Sequence, residues 1–175
     1  MRKKILIIFV LAVLFFEGAS AQQKKKGEEL SIEWPAEYNW KVIQRTETSE
    51  KKAVIIIPGN ETPRTATIIG TIAAYSNLKP GNLDSIIALY RSGIDSGTVL
   101  TVLERGDSTE KPWVIFKTET PVTNKYPIAE SDLYYVRQGE YALFENYVAI
   151  KKPLMDAEFT EKWIKILKTA KIMMQ

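Results

Sequence analysis

Six carboxylates and one tyrosine-bearing hairpin are the groups in this chain whose types and spacing suit chemistry. Glu104, Asp107, Glu110, Glu119, Glu130 and Asp132 fall within a single stretch. Two of them brought together would suit hydrolysis of the glycosidase kind, one acid donating a proton while the other attacks or activates water. Shortly downstream, Tyr135, Arg137, Tyr141 and Tyr147 crowd together. Tyrosine and arginine are common interface anchors, so these four form the candidate ligand- or partner-binding set. The competing expectation is a covered sheet face, with the rings in the core and their polar tips at the rim.

What the chain lacks narrows the chemistry further. It has no histidine and no cysteine. Thiolate and imidazole are the usual ligands of structural zinc, haem and iron–sulfur clusters, so no metal site and no cofactor is expected. The Ser-His-Asp and Cys-His nucleophile arrangements are excluded outright. Neither Asp95-Ser96-Gly97 nor Gly106-Asp107-Ser108 extends into a calcium loop, and the Gly-rich phosphate loop is absent. No catalytic residue is assigned.

The N-terminus sets the compartment. Met1-Arg2-Lys3-Lys4 is followed by twelve apolar residues, Ile5 to Phe16, and by Ala19-Ser20-Ala21. This order predicts a signal peptide over residues 1–21, cut between Ala21 and Gln22. The apolar run is shorter than the ~20 residues that span a bilayer, so no membrane span is expected after cleavage. A periplasmic or secreted protein follows. Of the 24 basic and 21 acidic residues, three and one fall in that segment, leaving 21 and 20, a net charge of +1. A nearly neutral chain does not suit nucleic-acid binding, which needs a concentrated basic face.

The elements that must position these groups are legible from pattern. Residues 22–29 are polar, with Lys24-Lys25-Lys26 at their centre, and read as a flexible leader before a single domain over 30–175. Strands are predicted around Trp40–Thr46, Ala53–Ile57, Ala66–Tyr75, Thr98–Arg105 and Trp113–Thr120, then as a hairpin, Leu133–Val136 and Tyr141–Ile150. Gly70 inside the third strand predicts a bulge or a close backbone approach. Pro121 to Asp132 reads as a loop. Asn82 caps a helix whose apolar residues Leu83, Ile86, Ile87 and Tyr90 share one face. Asp156 caps a second helix with the stripe Phe159, Trp163, Ile166, Leu167 and Ala170. Its lysines, Lys162, Lys165, Lys168 and Lys171, read as a solvated side. In the last hairpin strand Ala142, Phe144, Val148 and Ile150 point one way, and Tyr141, Leu143, Glu145 and Tyr147 the other.

Strands joined by short turns, with two amphipathic helices, give an α+β domain built on an antiparallel sheet. Together with Trp34-Pro35, Trp40-Lys41-Val42, Trp113-Val114-Ile115-Phe116, the Gln138-Gly139-Glu140 turn and Phe159-x-x-x-Trp163, this order resembles the PsbP-like fold. That fold occurs in an extrinsic photosystem II subunit, a small Ran-binding import factor and many short exported bacterial proteins. The resemblance implies an α/β/α sandwich, an antiparallel sheet flanked by helices, in an accessory role without catalysis. The function expected is an exported non-catalytic module, monomer or weak dimer, that binds a partner protein or small ligand of the cell envelope. The alternatives are a carboxylate-dependent hydrolase of envelope polymers and a carrier of an apolar small molecule.

Overall fold

The computed structural model describes residues 27–76, 78–106, 111–122 and 127–174. Residues 1–21, read above as a signal peptide, residues 22–26 and two of the six acids, Asp107 and Glu110, lie outside them. Among the described residues, nine strands and two α-helices follow in the order β1 (Glu28–Ser31), β2 (Lys41–Glu47), β3 (Lys51–Ile57), β4 (Ile68–Ser76), α1 (Leu83–Gly93), β5 (Val99–Gly106), β6 (Trp113–Thr120), β7 (Glu130–Gln138), β8 (Ala142–Ile150), α2 (Ala157–Leu167) and β9 (Lys171–Met174). A short 3-10 turn, Ala36–Tyr38, precedes β2. The expected α+β class holds.

Both helices begin where a short polar side chain replaces the missing carbonyl of the previous turn. Asn82 accepts a hydrogen bond from Ser85 N at 2.8 Å, and Asp156 from Phe159 N at 2.8 Å. The strands form where β-branched and aromatic residues run together, and seven of them make one antiparallel sheet in the order β2-β3-β4-β8-β7-β6-β5. The central position of β8, between β4 and β7, comes from the chain returning by three successive hairpin steps after α1.

Two expectations need correction. The leader does not extend to residue 29: Glu28 and Glu29 open β1, which pairs antiparallel with β9. Nothing local marks these two four-residue strands, because each is ordered by a partner at the far end of the chain. The loop expected to end at Asp132 ends earlier, since Glu130, Ser131 and Asp132 already pair with Thr120, Glu119 and Thr118. Their polar side chains hide the strand pattern, yet Ser131 and Asp132 are buried and hydrogen-bonded. The bulges fall between Val42 and Gln44 and between Val102 and Glu104, while the register through Gly70 is regular.

Of the two alternatives expected at Gly70, the close approach is the one found. A Cβ there would lie 2.8 Å from both the Trp34 ring and Ile56 Cγ1. Gly70→Ala is therefore expected to cost about 1–3 kcal/mol by overpacking, read as a lower urea midpoint at constant m. An unchanged midpoint would mean that Trp34 moves aside freely.

Successive side chains of a strand alternate between faces, and the buried residues divide accordingly. Ile115, Leu133, Tyr135, Phe144, Val148 and Ile150 cluster with Trp163 and Leu167 of α2. Val114, Phe116, Val136 and Leu143 cluster with Leu83, Ile86 and Ile87 of α1. The central strands thus bury apolar residues on both faces, in keeping with the expectation of a covered sheet face.

Candidate functional site

The register separates the four residues of the candidate set. Tyr135 sits opposite Asn146 and Tyr134 opposite Tyr147, so Tyr135 and Tyr147 point to different faces. Tyr135 is 3 % exposed in the α2-side cluster, its ring 6.0 Å from that of Trp113. Arg137, two residues on and on the same face, donates from Nη1 to the Ala170 carbonyl at 3.3 Å, tying β7 to the segment between α2 and β9. Tyr141 lies in the hairpin turn, 40 % exposed. Its backbone N–H and that of Glu140 donate to the Glu28 carboxylate at 2.8 and 2.9 Å. Gly139 leaves room for this carboxylate.

Tyr147 belongs to a different constellation, which sequence reasoning missed. Tyr90, Phe116, Tyr134 and Tyr147 form a continuous ladder, with centroids 4.8 Å apart from Tyr90 to Phe116, from Phe116 to Tyr134 and from Tyr134 to Tyr147. Two carboxylates join it. Glu145 accepts from the Tyr75 hydroxyl at 3.1 Å and from the Tyr90 hydroxyl. Asp132 accepts from Thr118 Oγ1 at 3.0 Å. The register that sets Tyr134 against Tyr147 was the signal that would have found the pair; Tyr75 and Tyr90 arrive from β4 and α1 and have no local signal.

Burial sets the electrostatics of this constellation. Desolvation, reinforced by the neighbouring Glu130, pushes the Asp132 carboxyl up to about 7 although Thr118 opposes it. Desolvation also pushes Tyr75, Tyr90, Tyr134 and Tyr147 above the ordinary tyrosine value, with Glu145 adding to the shift at each. These hydroxyls stay protonated and can donate hydrogen bonds. Among the described residues, neither Asp132 nor Glu145 has an ion-pair partner. The constellation is aromatic and carries Glu145 as its less buried acid, and the Lys51 ammonium lies 4.9 Å from the Tyr75 ring.

The other acids singled out from sequence disperse. Glu104 pairs with Lys168 at 2.6 Å. Burial works against the charge of Glu119, but the Lys117 ammonium at 2.8 Å and the Met155 N–H at 3.0 Å outweigh it and hold that carboxyl below its ordinary value. Glu130 is exposed. Asp132 and Glu145 share a face, yet Glu145 stands opposite Val136, four residues from Asp132, or about 13 Å along the strand. The helix lysines are partly engaged: Lys162 pairs with Glu37 at 3.2 Å, and its ammonium lies 5.2 Å from the Tyr38 ring. Among the described residues, no three His, Cys, Asp or Glu side chains are placed to hold a metal ion, and no helix is long and apolar enough to cross a membrane.

On the α2 side, Trp34, Tyr38 and Trp40 gather around Trp163 with centroids 5.8, 6.0 and 6.2 Å from it. A shallow groove of about 560 Å³ runs beside them between Glu33–Glu37 and Lys162, Lys165 and Thr169. Its rim carries both signs of charge, so it favours no ligand class. No family model matches the chain, and no curated protein matches it.

Proposed function

We propose that the chain is an exported, non-catalytic module of PsbP-like α/β/α architecture that binds a partner of the cell envelope through the tyrosine–carboxylate face. One observation carries the reading: half-buried Tyr75, Tyr90, Tyr134 and Tyr147 stand around Glu145 and Asp132, neither of which has an ion-pair partner among the described residues. Rigid aromatic rings supply contact area, their hydroxyls supply donors, and the acids favour a basic partner segment. The two clusters that join α1 and α2 to alternate faces support the sandwich. The N-terminal pattern supports export.

Asp132 favours a second reading. A carboxyl that titrates near neutrality suits a general acid, as a hydrolase of envelope polymers would need. Paired glycosidase carboxylates stand about 5–10 Å apart, closer than the strand register places Asp132 and Glu145.

One experiment separates the two. A photo-crosslinking side chain at position 147 is expected to capture a defined envelope component in intact cells, whereas the same group at exposed position 50 captures none. Polymer turnover by the purified protein, lost in Asp132→Asn and unaccompanied by crosslinking at 147, would replace binding with hydrolysis.

A further inference from the structure

We propose that a separate groove, where β4 begins and β8 ends, holds a single-chain anionic amphiphile of the fatty-acid class. Its carboxylate would lie among Arg64, Lys151 and Lys152, and its tail along Ile68, Ile150 and Phe159. This surface is distinct from the tyrosine–carboxylate face and stands or falls separately from it.

The groove holds about 460 Å³, within the ~300–1,000 Å³ usual for small-molecule sites. Three cationic side chains line it and no carboxylate does. Among the described residues none of the three has an ion-pair partner. Glu61, in the same loop as Arg64, is already engaged: its two oxygens accept the Thr67 backbone N–H and hydroxyl, each at 2.7 Å. That bond closes the loop and draws the acid toward its own backbone. Lys151 Nζ donates to the Arg64 carbonyl at 3.2 Å, which bridges the two walls and keeps the ammonium at the mouth.

The floor is apolar and fixed. Ile68 and Ile150 are direct register partners on adjacent strands, and both belong to the buried α2-side cluster with Phe159 packed against it. The first turn of α2 does not compete for the head group, since Asp156 already takes the Phe159 N–H. Charge complementarity therefore selects an anion, and the isoleucine–phenylalanine floor selects a hydrocarbon tail attached to it. A recessed groove of this volume accommodates one chain, which points to a monomeric amphiphile rather than a bilayer surface.

Isothermal titration of the purified protein with dodecanoate, below its micelle concentration, tests this. Saturable one-to-one binding is expected, weakened at least about tenfold in Arg64→Glu/Lys152→Glu. A control charge reversal at exposed positions, Arg45→Glu/Lys52→Glu, is expected to leave it unchanged. All four side chains are exposed, so thermal unfolding should show both variants folded. Equal binding of dodecyltrimethylammonium would overturn the role of the cations, and equal affinity for acetate would overturn the role of the tail. Retention of affinity in the first double variant would move the site elsewhere. Capture by anionic phosphatidylglycerol vesicles without binding of monomeric dodecanoate would make the groove a membrane contact instead.

Discussion

Trp163→Ala is expected to cost about 3–5 kcal/mol of folding stability, a large share of the ~5–15 kcal/mol that holds a domain folded. Trp163 is fully buried and is the largest such side chain among the described residues. Four other aromatic rings, Trp34, Tyr38, Trp40 and Phe159, lie within 6.2 Å of it by centroid. Deleting the indole removes its transfer free energy and leaves a cavity that rigid rings cannot collapse to fill. The loss is read from the urea midpoint, with intrinsic fluorescence following the remaining tryptophans. A cost under about 1 kcal/mol would mean that α2 is docked by something other than this residue.

The second large effect is on pH dependence, and Asp132 carries it. This side chain is 8 % exposed, and its carboxyl is raised from 3.8 to about 7. The gap corresponds to about 4 kcal/mol between the protonated and ionised forms. Because the folded value lies above the unfolded one, the native state holds the proton more tightly. Its stabilising contribution is complete below about pH 4, declines as pH rises, and is gone once the pH passes about 7. Glu119 works in the opposite sense and at lower pH: its carboxyl is held below the ordinary value, so its contribution disappears as the solution is acidified. The Asp132 effect is therefore isolated between pH 5 and 8. Asp132→Asn keeps an oxygen to accept from Thr118 and carries no charge. It is expected to flatten the stability profile over that window and to be the more stable protein at pH 8, by up to about 4 kcal/mol. Urea unfolding at pH 5 and pH 8 measures it, and parallel profiles for the two proteins would sink the assignment.

The helices and most strands were legible because their causes are local. Asn82 and Asp156 cap the helices as expected, since a cap needs only a short acceptor beside its own first turn. Trp113–Thr120 matches its predicted bounds, an apolar run long enough to show its period. Residues Glu130–Asp132 escaped notice because buried polar groups there replace the hydrophobic signature, with Ser131 donating to the Lys152 carbonyl and Asp132 accepting from Thr118. Strands β1 and β9 escaped because four residues are too few to show alternation, and each is held by the other.

The candidate site was legible only in part. The two faces of β8 were divided as expected for Phe144 and Val148 against Leu143, because alternation is a property of one strand. Which face of β7 meets which face of β8 is not, and the pairing of Tyr134 with Tyr147 sends Tyr135 to the other side. Gly70 lay between: an interior glycine announced a bulge or a contact, and only the position of the Trp34 ring decided for contact.

By itself the amino-acid order determined that no imidazole or thiol is on hand, and where helices begin, through caps and periodicity. Tertiary structure alone decided which tyrosines gather around Glu145, that three cations share the groove floored by Ile68 and Ile150, and that Asp132 titrates near neutrality. The reason is physical. Side-chain identity and local period travel with the chain, whereas strand register and desolvation exist only once distant segments pack against one another.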